Sequence, residues 1–127
     1  MKKTLFLVAI LAFVSCKKEE VKKEPLSPVS TEEIVQSPEE LGKEIFTGKG
    51  NCAACHQVDK KVVGPSIKEI AKIYKEKNAD MVVFLKGEGE PIVDPTQFEV
   101  MKANFAITKA MSDDELKALE AYVYSNL

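Results

Sequence analysis

Hydrophobic and polar positions along the chain fall into three regimes. Residues 5–14 form an apolar run of about ten behind Lys2 and Lys3, half the roughly 20 needed to span a bilayer, and this reads as an export signal. Next comes "KKEEVKKEPLSPVSTEEIVQS", where charge blocks and two prolines leave almost nothing to bury. Such a segment cannot offset its ordering entropy and is expected to be a flexible tether. From about residue 38 the pattern acquires a helical period. Ser37, Pro38 and Glu40 predict an N-cap, a first-turn proline and a capping box, with Leu41, Gly42, Ile45 and Phe46 on one face and "TGKG" as the stop. A second helix is predicted from about Ser66 to Lys77, with Ile67, Ile70, Ala71, Ile73 and Tyr74 on its apolar arc. A short helix over "DMVVFLK" follows. Ser112 and Glu115 then predict a second capping box, opening a last helix that buries Leu116, Leu119, Tyr122, Val123 and Leu127. The stretch "PTQFEVMKANFAITKA" shows neither period nor cap and reads as irregular.

No segment alternates as a strand would, so the fold class is all-α, with four to five short helices. The expected organisation is 1–16 signal peptide, 17–37 tether and 38–127 globular domain. At 21 residues, the tether would reach roughly 25 Å on average and about 70 Å when stretched. A domain this small, with long Gly- and Pro-bearing connections, makes a thin core and calls for a staple.

Charge adds mainly exclusions. The 127-residue chain has 18 Lys plus Arg against 20 Asp plus Glu, net −2, and residues 41–127 hold 12 Lys and 13 acidic residues. Nucleic acid is not an expected partner, and strong long-range steering of a partner is not expected either. Lys49, Lys60, Lys61, Lys102 and Lys109 could gather as a docking patch or simply form a solvated surface.

The candidate chemistry lies in "KGNCAACHQ", which packs Cys52, Cys55 and the single histidine, His56, into five positions. A CxxC pair can be a redox dithiol, half a zinc site or a haem attachment point. The dithiol belongs at a strand–helix junction, and no strand is in view. Structural zinc wants four protein ligands, and no second ligand pair exists. CxxCH supplies two thiols for covalent attachment and an adjacent imidazole for iron, so haem c is the favoured reading. For a second iron ligand the inventory offers Met81, Met101 and Met111. Met81 begins an apolar helix and reads as core, Met111 reads as a hydrophobic staple on Leu116, and Met101 has no structural explanation.

Two resemblances extend this. "GKGNCAACHQVDKKVVGPSIKEIAKIY" resembles the small bacterial class I c-type cytochromes, from about residue 39 to the C-terminus. The resemblance implies a cytochrome c fold around one haem c, thioethers from Cys52 and Cys55, and His56 as proximal ligand with Pro65 accepting from its other nitrogen. It further implies Met101 as axial ligand supported by Asn104, and a crossed contact of Gly42 and Phe46 with Leu119 and Tyr122. Prolines that often flank the family's methionine are replaced here by Val100 and Lys102. The implied function is single-electron transfer between redox partner proteins, without an enzymatic reaction or a small-molecule substrate. The rivals are a weak or open distal site serving a gas sensor or peroxidase, and a fixed electron-entry subunit of an oxidase or reductase. In addition, "VSC" followed by charge resembles a bacterial lipobox, although Phe13 stands where leucine is usual. That implies lipidation at Cys16 and an extracytoplasmic, membrane-anchored protein, on the periplasmic side or the cell surface. An ordinary cleaved signal with an incidental cysteine is the alternative.

Overall fold

The computed structural model describes residues 36–127. The expectations for the signal segment, Cys16 and nearly all of the tether lie outside the described residues. Among those residues there are six α-helices and no strand: α1 Pro38–Thr47, α2 Ile67–Lys77, α3 Met81–Leu85, α4 Phe98–Lys102, α5 Phe105–Thr108 and α6 Asp113–Tyr124. Two 3₁₀ turns, Cys52–Ala54 and Pro95–Gln97, complete the set.

Helix starts follow from side chains that satisfy first-turn amides. Ser37 Oγ accepts from Glu40 N at 3.2 Å while Glu40 accepts from Ser37 N at 3.1 Å. The same reciprocal box joins Ser112 and Glu115. Ser66 caps α2 through Glu69 N, and Asp80 caps α3 through Val83 N at 2.9 Å. Asn78 ends α2 in the left-handed region at φ 47°.

The core forms where α1 crosses α6, with α2 and α3 also packed on α6. Gly42 makes the crossing possible. A Cβ there would lie 2.6 Å from the Ala118 carbonyl carbon and 2.7 Å from Tyr122 Cβ, so only a bare Cα lets the backbones approach. Phe46 and Tyr122 then pack beside it, ring centroids 5.2 Å apart. The expected first-to-last helix contact is therefore present, and buried Ala118 is the residue on which Gly42 sits.

Two expectations are corrected. Leu127 is 57% exposed, because α6 ends at Tyr124 and the last residues leave its buried side. "PTQFEVMKANFAITKA" is not irregular: it folds as the second 3₁₀ turn, α4 and α5. Neither α4 nor α5 has a side-chain cap, and each is too short to display a period. Tertiary contacts hold them instead. Phe98 and Phe105 pack on Phe84 with centroids 6.2 and 5.4 Å away, and fully buried Thr108 donates to Leu85 O at 2.6 Å.

Candidate functional site

The loop between α1 and α2 is shaped by its own backbone. Gly50 N donates to Ile45 O at 2.8 Å, Asn51 takes a left-handed φ of 51°, and Cys55 N and His56 N both donate to Cys52 O. This curls the CxxCH segment into one 3₁₀ turn with Cys52, Cys55 and His56 lining a common cleft. Gly64 N donates to Cys55 O and Ile67 N to Gln57 O, both at 2.9 Å, which pins the loop to the start of α2.

His56 is oriented by its neighbours. Its Nδ1 lies 2.8 Å from Pro65 O, a group that can only accept, so Nδ1 is the donor and, in the neutral tautomer, Nε2 is the nitrogen with the lone pair. The ring lies against the bare Cα of Gly64, where a Cβ would sit 2.7 Å from Nδ1. Both thiols are free. Burial, reinforced by Cys55, pushes the Cys52 thiol up to about 11, so it stays protonated at neutral pH. A redox-active dithiol instead has a lowered thiol pKa.

The cleft extends to the segment carrying Met101. Phe46, Tyr74, Phe84 and Leu119 form apolar walls, and Met101 and Asn104 line it together with the CxxCH residues and Pro65. Its empty space, open mouth included, is about 1170 Å³. An apolar cleft lined by two free thiols and an imidazole held by Pro65 O fits a covalently held haem. A sequence profile for the family described as "Cytochrome c" matches residues 39–126.

The chain belongs to the cytochrome c family. Its local relatives are bacterial. Cytochrome c-552 of Nitrosomonas europaea is 52% identical over 40 residues, covering 32% of this chain and 38% of that protein. Cytochrome c-551 of Azotobacter vinelandii is 49% identical over 35 residues, covering 28% of this chain and 42% of that protein. A cytochrome c-551 of Pseudomonas denitrificans is 52% identical over 33 residues, or 26% and 39%. The chain thus spans about two fifths of the length of these relatives. It is a small class I c-type cytochrome, and its cofactor is a covalently attached haem c.

Within this cytochrome c, all six residues singled out from sequence, Cys52, Cys55, His56, Pro65, Met101 and Asn104, line the same cleft. Met81 lines it too, although it is only 3% exposed and belongs to the core, whereas Met111 packs against the core away from the cleft. Asn104 Nδ2 donates to Gly50 O at 3.2 Å, tying the Met101 segment to the CxxCH loop across 54 positions. Sequence reasoning missed the polar lining residues Asn51, Asp94 and Gln97. Asp94 accepts from Lys61 Nζ at 2.6 Å, which with a bond from Thr96 holds its carboxyl down to about 2. No local motif marks it, because its partner is 33 positions away.

Of the five lysines considered for a docking patch, three have acidic partners: Lys49 with Glu115, Lys61 with Asp94 and Lys102 with Glu99. Val63 and Val100, 46% and 56% exposed, line the cleft from the surface and make part of its rim apolar.

Proposed function

We propose that this cytochrome c is a one-electron carrier between redox partner proteins, with Cys52 and Cys55 as the attachment thiols and His56 and Met101 as the axial ligands. The observation carrying this reading is the His56 Nδ1 to Pro65 O bond, which leaves Nε2 as the ring nitrogen available to iron in a cleft that Met101 also lines. Haem c supplies a one-electron Fe(II)/Fe(III) couple when bound. The chain's own part would be to hold the iron through His56 and Met101 together, which favours electron transfer over oxygen or peroxide chemistry. Apolar walls from Phe46, Phe84 and Leu119 exclude water and favour the less charged, reduced state. Asn104 steadies the Met101 segment through Gly50 O. Nothing in this function requires an acid, base or nucleophile.

The carrier works outside the cytoplasm, anchored by a lipid on Cys16 and extended from the membrane by the tether up to residue 37. Support comes from the basic-then-apolar leader ending at Cys16 and from the charge-rich, core-poor segment that follows. Several acyl chains on one cysteine would exceed the marginal hold of a single chain.

The test uses protein made in a host able to attach haem. Met101→Ala is expected to lose the methionine-to-iron absorption band in the red and to gain rapid carbon monoxide binding when reduced. Met81→Ala and Met111→Ala are expected to keep the band. Loss of the band in Met81→Ala alone would transfer the ligand role to Met81, and rapid carbon monoxide binding by the unaltered protein would favour a sensor or peroxidase. In the same preparations the unaltered chain is expected in the membrane fraction and Cys16→Ser in the soluble one.

A further inference from the structure

The two halves of the site come from distant stretches of chain, and one ion pair joins them beside the cleft. Lys61 forms an isolated antiparallel bridge with His56, so its backbone moves with the proximal loop. Asp94 lines the cleft and immediately precedes the 3₁₀ turn Pro95–Gln97, whose Gln97 N donates back to Asp94 O at 3.2 Å. That turn runs without interruption into α4, which carries Met101. Lys61 Nζ lies 2.6 Å from Asp94 Oδ2, and Thr96 Oγ1 donates to the other carboxylate oxygen at 2.6 Å. Both oxygens are engaged, so the carboxylate is fixed in one orientation. Its side chain is 15% exposed while that of Lys61 is 56% exposed, leaving salt access chiefly to the lysine end.

α4 needs such an anchor. It is five residues long, has no side-chain cap and contains no buried residue. A single turn of this kind does not hold itself in water. Its other ties are Phe98, in the aromatic cluster, the half-buried Met101 side chain against the core, and the Asn104 bond just beyond its end.

We propose that Lys61 and Asp94 are positioning residues for the distal ligand: their ion pair clasps the Met101 segment to the His56 loop and limits how often the methionine side of the site opens. The proposal rests on Met101 being the axial ligand. Breaking the clasp raises the population of a locally opened state without unfolding the domain. An added small ligand can reach the iron only in that state, so its binding rate reads the opening directly.

The experiment measures carbon monoxide binding to the reduced holoprotein, with the thermal midpoint recorded alongside, for Lys61→Met, Asp94→Asn and the double variant. Each single change is expected to speed binding by about two- to fivefold, in the range of exposed ion pairs. The double variant is expected to be no faster than the faster single, because one interaction is lost in all three. Raising ionic strength is expected to speed the unaltered protein and leave the double variant unchanged. The proposal is overturned by unchanged rates in both singles, by effects that multiply in the double, or by rates that rise only in step with a lower thermal midpoint. Met101→Ala separates the two ideas. If it keeps the red band, the ligand assignment falls; if it loses the band while the clasp variants bind carbon monoxide no faster, the clasp alone falls.

Discussion

Gly42→Ala tests the packing on which the whole site is built. The added methyl would lie 2.6 Å from the Ala118 carbonyl carbon and 2.7 Å from Tyr122 Cβ, with the Ala118 oxygen closer still. Carbon atoms pack best at about 3.5–4.0 Å, so α1 and α6 must separate by roughly 1 Å. Overpacking against well-packed neighbours costs about 1–3 kcal/mol, and a main-chain obstacle that cannot rotate away belongs at the upper end. Loosening the Phe46–Tyr122 pair adds up to roughly 1 kcal/mol. Alanine's better helix propensity offsets about 1 kcal/mol of this. The net loss is about 2–3 kcal/mol, or roughly 10–20 °C in Tm for a domain of this size. Thermal unfolding of the haem-loaded protein, followed at helical and haem wavelengths together, measures it. Because the obstacle is the Ala118 main chain, adding Ala118→Gly is expected not to restore stability. A Tm within about 2 °C of the unaltered protein would refute the reasoning, as would full rescue by Ala118→Gly.

Two further outcomes follow from the site. Gly64→Ala puts a Cβ against the His56 ring and is expected to displace the imidazole from Pro65 O, which holo yield and the low-spin haem spectrum would report; wild-type yield and spectrum would contradict the tight ring contact. For Asp94, the folded carboxyl titrates at about 2 against 3.8 unfolded, so its stabilisation is complete above 3.8 and lost as pH falls toward 2. Asp94→Asn is therefore expected to flatten the fall of stability over that acid range, and equal slopes for the two proteins in acid titrations of Tm would count against the ion pair.

What could be read from sequence depended on how local its cause was. Capping boxes at Ser37 and Ser112 are satisfied within four residues, so their helices could be placed at once. The CxxCH turn is equally local, closed by amides of Cys55 and His56 on Cys52 O. Pro65 and Asn104, by contrast, came only through family resemblance, since their hydrogen bonds go to His56 and to Gly50, 9 and 54 positions away. α4 and α5 could not be read, because no cap or period produces them; they exist where the Phe84, Phe98 and Phe105 rings meet and Thr108 reaches Leu85 O.

Met101 marks the limit of reading by elimination. On sequence grounds it is the methionine that no structural role explains, and Met81 reads as core. In the fold Met101 sits in a helix, and Met81 is core and also lines the cleft, so being buried and facing the cofactor space are not exclusive. What separates the two is attachment. Met81 starts a helix capped by Asp80 and packed on α6. Met101, half-buried against the core, rides a short uncapped turn held by the Phe98 ring, the Asn104 bond and the Lys61–Asp94 pair. On the proposed assignment of Met101 as ligand, the polar ties that fasten this segment would help to hold the ligand in place.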